Sequence, residues 1–195
     1  FLYVRGDLPD NDQRSATIAG TSEATNEGIE LTVKLATRFA EAGVQVVSSL
    51  RMGIDAAAHL GTKSADRASF AVLDSGFDHI DSTEQVPLAI DALRAGGVIT
   101  EYAPDTEPGE RNYVESNRLL AGISHAVVVT EIYHNSAQVM DLVLFCSQIG
   151  KLVFLMVDPD HGALSDKEAL EELTEYGAVP IVGLDKVDDI IKTLI

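Results

Sequence analysis

An apolar stretch that runs through a turn of small residues into a helical pattern places the strongest constraint on the fold. Val44 to Val47 predicts a buried strand, and the residues from Gly53 to Ser64 predict a helix. Asp55 and His59 lie four positions apart on that helix, so they share one face. A strand joined to a helix by a short turn is the unit with which open α/β sheets build ligand sites, at the carboxyl ends of their strands.

The same alternation of strand and helix continues along the chain. Strands are predicted at 16–19, 44–47, 69–73, 98–100, 126–130, 152–157 and 179–182, with a possible edge strand at 1–4. Helices are predicted at 26–42, 53–64, 86–95, 117–122, 137–149, 165–176 and 186–194, and a long polar loop at 101–115. This order predicts an α/β fold, a doubly wound and mostly parallel sheet with helices on both faces. We expect residues 1–195 to form a single domain whose acidic C-terminal part is 158–195.

Composition limits the class of protein. Hydrophobic residues make up 46% of the chain, enough for a core, and there is neither a signal-peptide pattern nor an apolar run of membrane-spanning length. A single cysteine, Cys146, excludes an internal disulfide and is expected to be a buried thiol. These features predict a cytoplasmic protein. Because the chain begins with Phe1 rather than Met, we expect a domain taken from a longer protein.

The charge balance opposes strong binding of polyphosphates. Lysine and arginine number 14 against 31 acidic residues, which gives a net charge of −17. The loops predicted to surround the strand ends (20–27, 48–55, 74–84, 101–118 and 131–138) contain three bases and thirteen acids. Proteins that depend on phosphate contacts usually present a basic face. Solubility, or a host rich in salt, would also account for this acidity.

Two loops near the start of the chain contain candidate ligand-binding residues. Gly20, Thr21 and Ser22 follow the first buried strand, where a small turn exposes backbone N–H groups to a phosphate, although a plain tight turn has the same composition. The second loop and its helix contribute further candidates, namely Ser48, Arg51, Gly53, Asp55 and His59. Asp55 is either a ligand contact or a helix cap, and His59 is either a ligand contact or a hydrogen-bonded core residue.

Three later loops add the remaining candidates. Ser75, Gly76 and Asp78 follow the strand at 69–73; the nearby Asp74, His79 and Asp81 also suggest a metal, but their spacing matches no defined metal site. Glu101 follows the next strand, and Asn117 and Arg118 open a predicted helix, where Arg118 is the leading candidate for an anion contact. After the strand at 126–130 the candidates are Glu131 and Ser136.

Four of these segments, in order and at matching separations, resemble the DprA/Smf family of bacterial DNA-processing proteins. The segment 48–59, SSLRMGIDAAAH, is similar to the family's SGLARGIDxxAH, and 117–124, NRLLAGIS, to its NRIIAGLS. The segments 74–78 and 101–108 and the opening octet also match. The chain departs from the family where it has Ser22, Met52, Ser116 and Ala137 in place of basic residues or a glycine. Arg51 lies one place before the family's arginine, which leaves its direction open.

The resemblance implies a Rossmann-like domain that binds single-stranded DNA, forms a homodimer and helps to load a RecA-type recombinase, without catalytic residues, cofactor or metal. A second hypothesis is a site for a nucleotide or nucleotide derivative, as in a sensor or a phosphoribohydrolase, with Glu101, Arg118 and Glu131 as acid, phosphate anchor and base. A third is a domain that has lost its ligand and acts through protein contacts.

Overall fold

The computed structural model describes residues 1–80, 83–133, 136–157 and 166–194. The strands are β1 Tyr3–Gly6, β2 Ser15–Ala19, β3 Gln45–Ser49, β4 Ser69–Val72, β5 Gly97–Thr100, β6 Ala126–Val129, β7 Leu152–Val157 and β8 Val179–Val182. The helices are α1 Asn26–Glu41, α2 Ile54–Ser64, α3 Gln85–Ala95, α4 Glu110–Ile123, α5 Ala137–Gln148, α6 Lys167–Glu175 and α7 Val187–Leu194.

All eight strands form one sheet in the order β1-β5-β4-β3-β2-β6-β7-β8. The edge strand β1 is antiparallel to β5, and every other pair is parallel. The predicted Rossmann-like doubly wound sheet is therefore confirmed. The chain winds outward from β2 to β5 and then returns to place β6 on the other side of β2. The carboxyl ends of β2 and β6 thus flank the topological switch point, where such sheets bind ligands.

The hydrophobic core lies on both faces of the sheet, where a layer of helices covers each face. Strand residues alternate between these faces, so Val46 packs beneath α1 and α2 while its neighbour Val47 packs beneath α4 and α5. Helices α1, α2, α3 and α7 cover one face, and α4, α5 and α6 cover the other. Cys146 is fully buried in the second layer, and burial raises the pKa of its thiol to about 11.

Helix α4 is longer than predicted, and this is the main correction to the sequence-based elements. The other bounds lie within two residues of the predicted ones, but α4 begins at Glu110 instead of 117, so the predicted loop at 101–115 is too long. The buried stripe of α4 has helical spacing but includes polar residues: Tyr113, Ser116, Asn117, Leu120 and Ala121. Hydrophobic periodicity alone therefore misses its first two turns.

Among the described helices, none combines the length and the apolar character needed to cross a membrane.

Phe39 of α1 provides a test of the core assignment. Its side chain is fully buried between α1 and the sheet. We expect Phe39→Ala to lower the free energy of unfolding by about 3–5 kcal/mol, measured by urea denaturation, because it leaves a cavity. The control Ile149→Ala removes a side chain that is 50% exposed and should cost less than about 1 kcal/mol. Equal losses in the two variants would contradict the assignment.

Candidate functional site

A cavity of about 860 Å³ opens at the switch point of the sheet. The loops after β2, β3 and β6 supply most of its wall, and the first turns of several helices complete it. The described lining residues are Gly20, Thr21, Ser22, Glu23, Arg51, Met52, Asp55, Glu84, Gln85, Tyr113, Tyr133, Ser136, Gln138, Val139 and Asp166. Six of the residues predicted from the sequence therefore meet in one cavity: Gly20, Thr21, Ser22, Arg51, Asp55 and Ser136.

Two glycines allow the three strand-end loops to approach one another closely. Gly53 has a φ of 71°, and a Cβ there would lie 2.4 Å from the carbonyl oxygen of Thr21. A Cβ on Gly20 would lie 2.6 Å from the carbonyl oxygen of Glu131. Backbone hydrogen bonds fix this contact, since the Thr21 amide donates to Glu131 at 2.8 Å and the Ile54 amide to Thr21 at 3.1 Å. Both glycines are thus required by backbone packing.

The N-terminus of α1 is occupied by a carboxylate of the protein itself. Glu131 is fully buried, and its carboxylate accepts hydrogen bonds from the Thr25 amide at 3.0 Å and the Thr25 hydroxyl at 3.2 Å. The Tyr133 hydroxyl also donates to it, and this bond, with burial, raises the pKa of Tyr133 to about 12. A negative group at a helix N-terminus is favourable. The Glu131 carboxylate therefore lies at the N-terminus of α1, a few residues after the turn at 20–22 for which the sequence suggested a phosphate contact.

Arg51 lines the cavity as part of a packed cluster. Its Nη2 lies 3.0 Å and its Nε 3.2 Å from Oδ2 of Asp55, and Nε also donates to Oγ of Ser49 at 2.8 Å. The guanidinium carbon lies 3.7 Å from the centroid of the Tyr113 ring. The Asp55 side chain is 2% exposed and that of Arg51 is 21% exposed. The shift of the arginine by one position along the chain has not turned it away from the cavity.

Within the described part of the chain, the buried Asp55 carboxylate has hydrogen-bond partners at only one of its two oxygens. Its Oδ2 binds Arg51 and Ser49, but the buried Oδ1 accepts no hydrogen bond from the described residues. Arg51 is thus the main charge that balances this buried carboxylate.

Ser48 and His59 lie in the core behind the cavity wall. The Ser48 hydroxyl donates to the carbonyl oxygen of Ile18 at 2.7 Å. Nε2 of His59 donates to the carbonyl oxygen of Ser49 at 2.8 Å, and Nδ1 accepts from the Ser69 hydroxyl at 2.9 Å. Burial lowers the pKa of His59 against the opposing effects of Ser49 and Asp55. Of the two interpretations of His59, the hydrogen-bonded core residue matches the structure.

The loop containing Ser75, Gly76 and Asp78 packs on the loop after β5. A Cβ on Gly76 would lie 2.1 Å from the carbonyl oxygen of Ala103, and the Asp78 amide donates to the carbonyl oxygen of Pro104 at 2.9 Å. None of these three residues lines the cavity. Asp81, part of the metal hypothesis, lies outside the described residues. Within those residues no group of three or more His, Cys, Asp or Glu could hold a metal ion.

Glu101, Asn117 and Arg118 also lie outside the cavity lining. Arg118 forms an ion pair of 2.5 Å with Glu101, so the leading candidate for an anion contact is bound to a carboxylate. It lies well inside α4 rather than at the start of a helix. The Nδ2 of Asn117 donates to the carbonyl oxygen of Gln138 at 2.8 Å and thereby holds the first turn of α5. Ser136 lines the cavity as the N-cap residue of α5, and its side chain makes no capping hydrogen bond to the described residues of that helix.

Several lining residues were not singled out from the sequence, notably Glu23, Met52, Glu84, Gln85, Gln138 and Asp166. Gln85 begins α3 and Asp166 caps α6. A stricter use of the rule that strand ends converge would have included both. The described lining holds one cation, Arg51, and four acids: Glu23, Asp55, Glu84 and Asp166. The acidic balance predicted for the loops therefore persists in the cavity itself.

Gly28 tests the position of the Glu131 carboxylate. A Cβ on Gly28 would lie 1.8 Å from Oε2 of Glu131, whereas a Cβ on Gly122 of α4 would meet nothing within 4 Å. Replacing a helical glycine by alanine normally stabilises a protein by about 0.5–1 kcal/mol. We expect Gly122→Ala to raise the free energy of unfolding by this amount and Gly28→Ala to lower it. Stabilisation by Gly28→Ala would show that Glu131 lies elsewhere.

His59 makes stability depend on pH. The unfolded chain binds a proton at this residue below about pH 6.5, whereas the folded chain, whose His59 pKa is lowered by burial, binds it only at lower pH. The contribution of neutral His59 to the free energy of unfolding is therefore complete above about pH 6.5. It is lost as the pH falls, by at most about 1.4 kcal/mol per pH unit for one proton. We expect His59→Gln to be less stable than the unaltered chain at pH 7.5, but to lose less stability between pH 7.5 and 5. Identical pH profiles from chemical denaturation would contradict this.

Comparison with known proteins identifies the family. A protein from Mycobacterium tuberculosis described as a DNA processing protein DprA is 30% identical over 179 residues, which are 92% of this chain and 44% of that protein. The chain spans between 41% and 50% of the length of the curated relatives that it matches.

Two solved structures share the fold over the whole chain. DNA processing protein A from Helicobacter pylori, described as having a unique single-stranded DNA binding mode, aligns with a TM-score of 0.84 at 21% identity and is covered to 88%. The Streptococcus pneumoniae protein DprA aligns with a TM-score of 0.82 at 21% identity and is covered to 66%. The family model of DNA recombination-mediator protein A matches residues 1–194. The resemblance found in the sequence is therefore confirmed, and this chain belongs to the DNA recombination-mediator protein A family.

Proposed function

We propose that this chain binds single-stranded DNA at the switch-point cavity and, as a homodimer in the cytoplasm, assists the loading of a RecA-type recombinase. Family membership over residues 1–194 is the observation that carries this proposal. The relative from Helicobacter pylori, described as binding single-stranded DNA, has the same fold over the whole chain. The cavity at the switch point is where this class of sheet receives its ligands.

The contacts of Glu101, Arg118 and Glu131, the residues proposed for catalysis, favour binding over a phosphoribohydrolase reaction. A carboxylate that acts as a general acid or base must reach the substrate with a free oxygen. The Glu131 carboxylate is fully buried and accepts hydrogen bonds from Thr25 and Tyr133. Glu101 is paired with Arg118 outside the cavity. The acid, anchor and base proposed for a phosphoribohydrolase thus do not line one cavity, which supports a binding module over that alternative.

The bases near the strand ends are engaged with carboxylates. Arg51 is paired with Asp55, Arg111 with Glu115 at 2.8 Å, and Arg118 with Glu101 at 2.5 Å. Each phosphate neutralised on single-stranded DNA contributes about 0.7 to the slope of log affinity against log salt. Because the described cavity lining contains one cation, we expect the affinity for single-stranded DNA to fall only slowly as the salt concentration rises.

A single nucleotide is the second candidate ligand. The cavity volume of about 860 Å³ and the single lining cation suit one nucleotide as well as they suit part of a strand.

Fluorescence anisotropy of a labelled thymidine oligomer, titrated across a range of salt, tests the proposal. We expect saturable binding with a slope no steeper than about 1.4, equivalent to two phosphate contacts. AMP and ADP-ribose serve as competitors. A nucleotide that binds when the oligomer does not would favour the second candidate, and no binding of either would favour a domain that acts through protein contacts. A slope of about 3 or more would place the DNA on another surface.

A charge-balanced variant links the binding to the cavity. Removing Arg51 alone would leave the buried Asp55 carboxylate without its main partner, so the double variant R51Q/D55N removes both charges together. It should weaken binding of the oligomer by about tenfold, or about 1.4 kcal/mol. The matched control is Arg67→Gln, which removes an exposed base that does not line the cavity. Equal effects of the two variants would contradict the assignment of the site.

A further inference from the structure

The Arg51 guanidinium is held as a fixed flat surface. Its Nε and Nη2 edge lies against Oδ2 of Asp55 at 3.2 and 3.0 Å, and Nε also donates to Ser49. One face lies on the Tyr113 ring, with 3.7 Å between the guanidinium carbon and the ring centroid. A planar group held at one edge and on one face has little freedom to rotate, so the direction of its second face is set by the protein.

Part of the Arg51 side chain remains exposed at the cavity. Arg51 lines the cavity and keeps 21% of its side chain exposed, while Tyr113 beneath it is 8% exposed. With one edge on Asp55 and one face on Tyr113, the surfaces left for a ligand are the opposite face and the outer edge. Aromatic bases stack on planar guanidinium groups as they do on aromatic rings. A base placed there would extend the stack of Tyr113 and Arg51 by one layer.

The charge around this surface disfavours a phosphate in the same place. The Arg51 charge is already balanced by Asp55, and the remaining charged groups of the described lining are the carboxylates Glu23, Glu84 and Asp166. Carboxylates repel a phosphate, but they accept hydrogen bonds from the amino groups of a base.

We propose that the cavity takes a nucleobase of single-stranded DNA, stacked on Arg51 above Tyr113, and leaves the phosphates outside. This rests on the proposed function, since it describes how the same site recognises the strand. Arg51 acts as a stacking surface rather than as a phosphate clamp. The acidic lining favours adenine, cytosine and guanine, which carry an exocyclic amino group, over thymine, which has none.

An abasic oligomer separates base recognition from phosphate recognition. It carries the same phosphates as a deoxyadenosine oligomer of equal length but has no bases. In anisotropy titrations at one salt concentration, the abasic oligomer should bind at least about tenfold more weakly than the deoxyadenosine oligomer. The thymidine oligomer should fall between them. Equal affinity of the abasic and deoxyadenosine oligomers would overturn the inference and leave the proposed function standing, whereas no binding of any oligomer would overturn both.

Tyr113 supplies the matched variants. Tyr113→Phe keeps the ring beneath Arg51 and should bind the deoxyadenosine oligomer as the unaltered chain does. Tyr113→Leu removes the ring and should weaken that binding by about fivefold or more, while leaving the abasic oligomer unaffected. Thermal unfolding of both variants shows whether each is folded at the assay temperature. If a folded Tyr113→Leu variant loses the same factor for both oligomers, or none for either, the stacking role is wrong.

If Tyr113→Leu does not fold, the exchange of Arg51 for lysine replaces it. Arg51→Lys keeps the charge beside Asp55 but removes the flat surface. It should lose affinity for the deoxyadenosine oligomer and keep affinity for the abasic one. A variant that retains full affinity for both would overturn the inference.

Discussion

The Glu131 carboxylate is buried where the end of β6 meets the start of α1, and the geometry of the site depends on it. It accepts hydrogen bonds from Thr25 and Tyr133, and the absence of a side chain at Gly28 gives it room. Its negative charge lies at the helix N-terminus, where the aligned peptide dipoles stabilise it. Because the carbonyl oxygen of Glu131 also accepts a hydrogen bond from the Thr21 amide, it holds the loop after β2 in place at the cavity. The N-terminus of α1 therefore binds a carboxylate of the protein itself.

The acidic composition has a direct consequence at the site, where few bases are available to bind a phosphate. Side chains can hold a phosphate at the strand ends only where free bases are present. The bases there are paired with carboxylates, and Arg51 is additionally covered by Tyr113. The side chains of the described cavity lining therefore offer a flat cation, two aromatic rings and several carboxylates rather than free bases. Recognition through bases would allow a chain with a net charge of −17 to engage a polyanion.

The sequence predicts the sheet well because buried parallel strands are short, apolar and regularly spaced. It predicts the helices equally well except α4, whose buried stripe includes Ser116 and Asn117. At the site, the convergence of strand ends correctly brought Thr21, Asp55 and Ser136 together. The roles of Glu131 and Arg118 could not be predicted from the sequence. Each role depends on a hydrogen-bond partner far away in the chain, and the alternation of strands and helices does not identify that partner. Thr25 lies 106 positions from Glu131, and Glu101 lies 17 from Arg118.

The central claim is that single-stranded DNA enters the switch-point cavity. Amide chemical shifts of the ¹⁵N-labelled chain, followed during titration with a deoxyadenosine oligomer, test it most directly. We expect the largest changes at Thr21, Arg51, Tyr113 and Gln138, which line the cavity. Little change is expected at Lys63, Arg67 and Arg94, three bases that line a different pocket. The largest changes at those three bases, with the cavity residues unaffected, would contradict the proposal and place the DNA on a different surface.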